Sequence, residues 1–230
     1  KIFWNHLYQG LYTKGVDSWW LDATEPAYKD GLYPEKQTQW SKKAGKTFIG
    51  SAARYLNTYS YVLTKMMYEN LRKQSDNRAS VLTRSAFAGQ QRFGTSIWSG
   101  DIYASWDVLK KQLVAGLNIC MTGIPYWTTD IGGFRVRSRE NSGEGTGEIS
   151  TEIHRNISSC DGGYAKGLKD SAYLELYTRW FQYGALSPIF RAHGTEVPRE
   201  IWHFGEPGSL FYDIQVEMIH LRYSLLSYIY

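Results

Sequence analysis

The sequence predicts an α/β fold on a parallel sheet, and more specifically a (β/α)8 barrel. Two observations carry this prediction. Segments with apolar residues at helical spacing alternate along the 230 residues with short β-favouring runs, the pattern of strands covered by helices. Polar residues suited to catalysis also end several of these runs, which favours a barrel over a doubly wound sheet because barrel enzymes gather such residues at strand ends.

The elements are predicted in the order helix, strand, repeated four times, followed by a final helix. The helices have apolar residues at helical spacing, and they are predicted at residues 2–12, 53–73, 102–117, 173–183 and 210–230. The strands are short apolar runs, and they are predicted at residues 16–22, 81–85, 118–122 and 188–191. Residues 87–99 are predicted to form a loop, and residues 135–169 a long polar excursion.

Composition excludes several classes of function. The net charge of +4 is mild, and no basic block is interleaved with aromatic residues, so we expect no nucleic-acid partner. No apolar run reaches the roughly 20 residues of a membrane-spanning helix. The two cysteines form neither a disulfide framework nor a metal-binding spacing. Nine Trp, eighteen Tyr and nine Phe are compatible both with an aromatic core and with surfaces that stack on sugar rings.

The stretch from Trp19 to Pro26 is the most informative part of the chain. An apolar run reaches Asp22, and Pro26 then prevents the strand from continuing. Asp22 is therefore predicted where a buried strand opens into a loop, and the indoles beside it are suited to a sugar pocket. The alternative is that Asp22 is a turn or capping aspartate.

Further charged residues follow the other predicted strands. If a barrel brings these strand ends to one face, three carboxylates, two arginines and a histidine surround an aromatic cavity. These residues are Asp22, Arg84, Asp101, Asp130, Arg191 and His193. Two carboxylates, one ionised and one protonated, are the groups that glycoside hydrolysis requires. A neighbouring arginine favours the ionised form, and burial favours the protonated form.

Each of these residues also has a structural interpretation. Asp101 precedes a predicted helix and is equally suited to be its N-cap. Asp130 is suited to a glycine-rich turn, and His193 to a structural hydrogen bond. Arg84 and Arg191 are suited to a structural ion-pair network. Their joint position at strand ends favours the catalytic interpretation.

These motifs resemble the second half of the catalytic barrel of glycoside hydrolase family 31. Trp20-Leu21-Asp22-Ala23-Thr24-Glu25 is similar to the family's aromatic-x-Asp-x-x-Glu nucleophile motif. Trp98-Ser99-Gly100-Asp101 is similar to its Trp-x-Gly-Asp acid/base motif. Further similar segments occur in the same order, at residues 84–92, 123–125, 130–134 and 191–193. The resemblance covers nearly the whole chain except residues 135–169.

The resemblance implies a retaining, exo-acting α-glycosidase acting on an oligosaccharide. Asp22 is then the nucleophile and Asp101 the general acid/base. The other implied roles are contacts with the terminal sugar: hydroxyl binding by Arg84, Asp130 and His193, and apolar walls from Trp20 and Phe134, with Trp98 close by. No metal or organic cofactor is implied.

The resemblance also implies that residues 1–230 are a partial catalytic barrel. They correspond to roughly the last five of the eight strands. The family places earlier strands and an N-terminal β-sandwich before this part, and β domains after it. We therefore expect that the chain needs the N-terminal part of its own barrel, because alone it would expose an unpaired sheet edge.

The amino-acid sequences of two motifs suggest the substrate. Trp19–Pro26 and Tyr126–Phe134 are most similar to bacterial α-xylosidases of the family, including xyloglucan-active ones, whereas its α-glucosidases more often carry Asp-Met-Asn-Glu after the aromatic residue. An α-glucosidase remains the alternative within the family. A non-catalytic carbohydrate-binding relative and an unrelated α/β protein remain the alternatives from other classes.

Overall fold

The computed structural model describes residues 2–25, 39, 42–137 and 163–229. The chain forms two compact units. Unit 1 comprises Lys1–Trp98 and Thr122–Tyr126, and unit 2 comprises Ser99–Met121 and Trp127–Tyr230. Each unit has its own hydrophobic core, built from residues of that unit.

Unit 1 is organised around parallel strands. Its strands are β1 (Ser18–Leu21), β2 (Lys46–Thr47), β3 (Gly50–Ser51), β4 (Ser80–Thr83) and β5 (Thr95–Trp98). Strand β4 lies between β1 and β5 and is parallel to both, with Leu21 opposite Thr83 and Thr83 opposite Ile97. This register aligns the carboxyl ends of the three strands. Strands β2 and β3 form a separate antiparallel hairpin.

The helices of unit 1 include α1 (Ile2–Gly10), α2 (Ala52–Tyr55) and α3 (Tyr59–Gln74), of which α1 and α3 pack with the strands around an aromatic and aliphatic core. The core residues are buried and come from α1, β1, α3 and β4: Trp4, Trp19, Met67, Leu71 and Val81. Since both β1 and β4 contribute to this core, their carboxyl ends are held on a well-packed base.

Unit 2 is mainly helical among its described residues. Its elements are α4 (Trp106–Met121), β6 (Trp127–Thr128), α5 (Ser171–Ala185), α6 (Leu210–Ser224) and α7 (Leu226–Ile229). Asp170 is the N-cap of helix α5, and its carboxylate accepts a hydrogen bond from Ala172 N–H (3.1 Å). Its apolar face is completely buried and forms the centre of the core, with Tyr173, Leu176, Tyr177 and Trp180. None of the described helices is long and apolar enough to cross a membrane.

The predicted α/β architecture with a parallel sheet is confirmed, and the predicted strands at residues 16–22 and 81–85 are β1 and β4. The prediction of a loop over residues 87–99 is wrong, because β5 lies within it. The strand Thr95–Trp98 has only two apolar residues, too few for a recognisable pattern. Hydrogen bonding to neighbouring segments makes this stretch a strand, because β5 pairs with β4 and Ile97 N–H also donates to the Tyr126 carbonyl (2.9 Å).

The predictions of strands at residues 118–122 and 188–191 are wrong. Residues 118–121 form the end of α4, and the strand that follows is β6. Residues 188–191 are not a strand; Ile189 N–H donates one long hydrogen bond to the Trp127 carbonyl (3.5 Å). Most of the predicted excursion at residues 135–169 lies outside the described residues.

Four residues, Trp106, Leu109, Leu113 and Leu117, form the apolar pattern of the helix predicted at residues 102–117, but none of them is buried. Leu113 and Leu117 are exposed, whereas Val108, Gln112 and Gly116 are buried. Close packing explains the reversal. A side chain at Gly116 would lie only 2.8 Å from the Trp127 indole nitrogen, so the absence of a side chain admits the indole against the helix.

Candidate active site

Asp22 lies directly after β1, at the strand end where the sequence predicted it. Its carboxylate is 56% exposed, and its contacts with other described residues fall on Oδ1. Ala23 N–H donates to Oδ1 (2.7 Å), and the Arg84 guanidinium lies 3.1 Å from the same oxygen. Ala23 has a φ of +50°, a left-handed conformation that is unusual for a residue with a side chain. The turn therefore holds the carboxylate in one orientation while leaving it open to solvent.

Arg84 binds two carboxylates of the same loop. Its Nε donates to Glu25 Oε1 (2.9 Å), its Nη2 contacts the same oxygen (2.5 Å), and its Nη1 contacts Asp22. Because the guanidinium is planar and presents its donors in a fixed arrangement, this contact fixes direction as well as charge. The carboxylate of Asp22 is thus oriented by a cation that Glu25 holds in place.

Thr24 joins the loop after β1 to the loop after β4. It is fully buried, and its hydroxyl oxygen accepts hydrogen bonds from the backbone N–H groups of Arg84 (3.1 Å) and Ser85 (3.1 Å). The Ser85 hydroxyl lies 3.2 Å from the same oxygen. This single side chain therefore satisfies the first donors beyond the end of β4 and fixes where Arg84 leaves the strand.

Trp20 and Trp98, two predicted sugar-contacting residues, pack against each other. Their rings meet edge to face with centroids 5.6 Å apart. Trp98 is buried, whereas Trp20 is 49% exposed. Trp98 therefore supports the Trp20 indole, and Trp20 presents apolar surface to solvent beside Asp22.

Asp130 forms a buried ion pair with Arg191 in unit 2. Asp130 is fully buried, and Arg191 Nη2 contacts its Oδ1 at 2.5 Å. The pKa of Asp130 is raised to about 6, mainly by burial and to a smaller extent by the negative charge of Asp101, while Arg191 opposes the increase. Asp101 is thus close enough to influence Asp130. Within the described ranges Asp130 Oδ2 has no hydrogen-bond partner, which leaves a buried acceptor for a ligand.

Asp101 lies in the loop before α4 and is exposed. The helix begins only at Trp106, and the Ser105 hydroxyl accepts the hydrogen bond from Val108 N–H in its first turn (3.1 Å). The interpretation of Asp101 as the helix N-cap is therefore wrong, because Ser105 occupies that place.

Phe134 and His193, two residues predicted to contact the sugar, are neighbours. Their ring centroids are 5.5 Å apart with an interplanar angle of 32°. Phe134 belongs to the loop that follows Asp130, and His193 to the loop that begins at Arg191. Unit 2 therefore brings together the loops of Asp130 and His193, as unit 1 brings together Asp22, Arg84 and the two indoles.

Three residues make contacts around these loops that the sequence does not reveal: Thr24, Glu25 and Arg199. Thr24 and Glu25 appeared only as letters of a motif, although their contacts orient Arg84. No sequence motif includes Arg199, although its buried guanidinium binds the backbone beside Phe134. The position of Thr24 and Glu25 inside the motif was the available signal; nothing in the pattern around Arg199 marked it.

A comparison with protein families assigns the chain to a family. The model described as "Glycosyl hydrolases family 31 TIM-barrel domain" matches residues 1–230. The chain belongs to glycoside hydrolase family 31.

Individual relatives agree with that assignment. This family 31 chain is 37% identical over 233 residues to an α-xylosidase of Saccharolobus solfataricus, covering 100% of the chain and 26% of the relative. It is 33% identical over 215 residues to human neutral α-glucosidase C, covering 92% of the chain and 19% of the relative. The crystal structure of an α-xylosidase from Xanthomonas citri superposes with a TM-score of 0.79 at 34% identity, covering 100% of the chain and 22% of that protein. The family 31 chain thus spans about a quarter of these relatives' lengths.

The role of Thr24 predicts a difference between two substitutions. Thr24→Val keeps the shape but leaves the N–H groups of Arg84 and Ser85 without their acceptor, which should lower the free energy of unfolding by about 1–3 kcal/mol. Thr24→Ser keeps the hydroxyl and should cost less. Thermal and chemical unfolding of both variants provides the measurement. Equal losses in the two variants would show that the methyl group, and not the acceptor, stabilises the loop.

The environment of Asp130 predicts a pH-dependent stability. Its pKa is about 6 in the folded protein and 3.8 for an unperturbed aspartate, so between these values the folded state binds more protons than the unfolded state. The contribution of Asp130 to stability therefore falls as pH rises from about 4 to about 6. The uncharged variant Asp130→Asn should gain stability relative to the parent protein across this range.

Unfolding midpoints measured from pH 4 to pH 7 test this expectation. The exposed carboxylate of Asp76 provides the control, since Asp76→Asn removes one surface charge without a buried ion pair. If the difference in unfolding midpoint between Asp130→Asn and the parent protein stayed constant with pH, the expected pH dependence would be wrong.

Proposed function

We propose that the protein containing this chain is a retaining, exo-acting α-glycoside hydrolase that releases terminal α-xylose from oligosaccharides of the xyloglucan type. The observation that carries the proposal is the Asp22 carboxylate at the end of β1, held through Oδ1 by Arg84 and Ala23 and open to solvent. A nucleophilic carboxylate needs this combination, because it must be oriented and yet reach the substrate.

In the proposed mechanism Asp22 attacks the anomeric carbon through Oδ2, and a covalent glycosyl-enzyme intermediate forms. Asp101 protonates the leaving oxygen and then activates the water that releases the sugar. The exposed position of Asp101 before α4, with no capping role, supports this assignment. A retaining mechanism requires the carboxyl groups of Asp22 and Asp101 about 5–5.5 Å apart.

The remaining residues are proposed to hold the terminal sugar. Asp130 Oδ2 is a buried acceptor suited to a sugar hydroxyl, and His193 and Arg84 provide further polar contacts. The half-exposed Trp20 and the ring of Phe134 are proposed as apolar walls. Trp98 acts through its contact with Trp20.

The substrate assignment rests on similarity. The relatives from Saccharolobus solfataricus and Xanthomonas citri are α-xylosidases, and the motif around Asp22 resembles that group. An α-glucosidase is the second candidate, because human neutral α-glucosidase C is 33% identical to the chain. A non-catalytic binding protein is disfavoured, because both carboxylates required for catalysis are present.

We further propose that the chain supplies roughly the last five of the eight barrel strands, with the excursion at residues 135–169 as a long loop. In this view the active protein requires the N-terminal part of its own barrel. The chain's share of 19–26% of the length of its relatives is consistent with that proposal.

Substitution of Asp22 tests the mechanism. Asp22→Ala in the full-length enzyme should lower kcat by at least about 10³-fold, because the covalent intermediate cannot form. Asp17 is an exposed aspartate before the start of β1, and Asp17→Ala is the matched control that should retain turnover. A fluoroxylosyl fluoride, which traps the glycosyl-enzyme, should label Asp22. Undiminished turnover by Asp22→Ala would refute the mechanism.

Two aryl glycosides test the substrate. We expect a higher kcat/KM for aryl α-xyloside than for aryl α-glucoside, because a pocket that fits xylose has no space for the hydroxymethyl group of glucose. The same preparation of the full-length enzyme serves both assays. Faster cleavage of the glucoside would replace the α-xylosidase assignment with that of an α-glucosidase.

A further inference from the structure

The side chains of unit 2 that are proposed to contact the sugar lie on two loops outside the helices and strands. One loop follows β6 and carries Asp130 and Phe134; the other carries Arg191 and His193. Since a displacement of about 1 Å can cost about 10²-fold in rate, such loops need specific restraints. A β-bridge between Tyr103 and Arg135 restrains the first loop, and side chains that bind the loop backbones add further restraints.

The Arg199 guanidinium connects the two loops. On the first loop, its Nη2 donates to the carbonyls of Gly133 (2.5 Å) and Phe134 (3.2 Å). On the second, its Nη1 donates to the carbonyls of Thr195 (3.2 Å) and Val197 (2.6 Å). Arg199 is buried, so these contacts form away from competing water. One side chain thus binds four carbonyls, two on the loop that carries Phe134 and two on the loop that carries His193.

Glu196 connects the loops in the opposite direction. Its Oε2 accepts hydrogen bonds from the backbone N–H groups of Val136 (2.8 Å) and Arg137 (2.7 Å). Glu196 has a φ of +73°, a left-handed conformation that is unfavourable for a residue with a side chain. The two charge-assisted hydrogen bonds oppose that cost. Thr195 N–H adds a backbone bond to the Phe134 carbonyl (2.9 Å).

This double link is anchored to the core of unit 2. The Tyr177 hydroxyl donates to the Arg199 carbonyl (2.8 Å). Tyr177 is fully buried in α5, and its ring stacks on Phe204 with centroids 4.0 Å apart. The loops are therefore fixed relative to each other and also relative to a rigid helix.

The backbone at Gly194 leaves the space that Arg199 needs. A Cβ atom at residue 194 would overlap the guanidinium of Arg199. Since that guanidinium already binds four carbonyls, it has no alternative position that keeps all of its hydrogen bonds. A side chain at residue 194 should therefore disconnect the two loops without altering Arg199 itself.

We propose that Arg199, together with Glu196, is a positioning residue that sets the spacing of Phe134 and His193 around the terminal sugar. The proposal rests on the proposed glycosidase function for its kinetic consequence. Arg199 binds backbone carbonyls and not the substrate, so it acts through the residues it holds. Lysine cannot replace it, because an ammonium group lacks the planar set of donors that reaches both loops.

The test uses Arg199→Lys, Arg199→Met and Gly194→Ala in the full-length enzyme. Arg179→Lys is the matched control, because Arg179 lies on the exposed side of α5, where it pairs with Glu175 (3.9 Å) and donates to Gln182 Oε1 (3.2 Å). Rates are expressed per active site titrated with a fluoroxylosyl fluoride, so that unfolded protein does not count. We expect the three variants to lose about 10–10²-fold in kcat/KM and the control to stay unchanged.

Hydrogen exchange gives a readout that does not depend on activity. The amides of Thr195, Val136 and Arg137, which are bonded across the loops, should exchange faster in Arg199→Met and Gly194→Ala than in the parent protein. Unchanged exchange at these amides would overturn the proposal. So would a kcat/KM per titrated site equal to that of the parent enzyme, even if the unfolding midpoint fell.

The proposed function can fail separately. A parent enzyme that hydrolyses no α-glycoside would refute the glycosidase assignment, and the exchange experiment would then decide alone whether Arg199 connects the loops. Normal turnover by the parent enzyme with faster exchange but unchanged kinetics in the variants would refute the positioning role and leave the glycosidase intact.

Discussion

The parallel register of β1 and β4 is the constraint on which the site of unit 1 depends. Leu21 lies opposite Thr83, so the next residues of the two strands, Asp22 and Arg84, leave the sheet side by side. Their contact at 3.1 Å follows directly from that pairing. A shift by one residue would turn every side chain of β1 to the other face and would separate the carboxylate from its cation.

Polar side chains then convert this register into a defined orientation. Thr24 fixes the backbone just beyond β4, and Glu25 holds the guanidinium from the other side. A buried hydroxyl that accepts two N–H groups is stabilising only if both donors remain in place, so the loops after β1 and β4 depend on each other. The catalytic-type carboxylate itself remains half exposed, because its neighbours and not its own burial hold it.

Unit 2 uses a related solution with a different base. Its loops are held by two arginines: Arg191, paired with the buried Asp130, and Arg199, bound to backbone carbonyls. Helix α5 anchors this region, because its Tyr177 hydroxyl donates to the Arg199 carbonyl and its Trp180 indole donates to Thr129 beside Asp130. Functional loops need such support because they cannot bury enough of their own apolar surface to become ordered.

The sequence by itself determined the strand ends that carry Asp22 and Arg84, the helix α5 and the motifs typical of the family, because each depends on a local run of residues. It could not determine β5, the buried face of α4 or the role of Arg199. Strand β5 forms because β4 lies beside it. Helix α4 buries the face that contains Gly116 because the Trp127 indole packs there. Arg199 binds carbonyls more than 60 residues away in the chain. These features depend on contacts between distant segments, and only the tertiary structure brings those segments together.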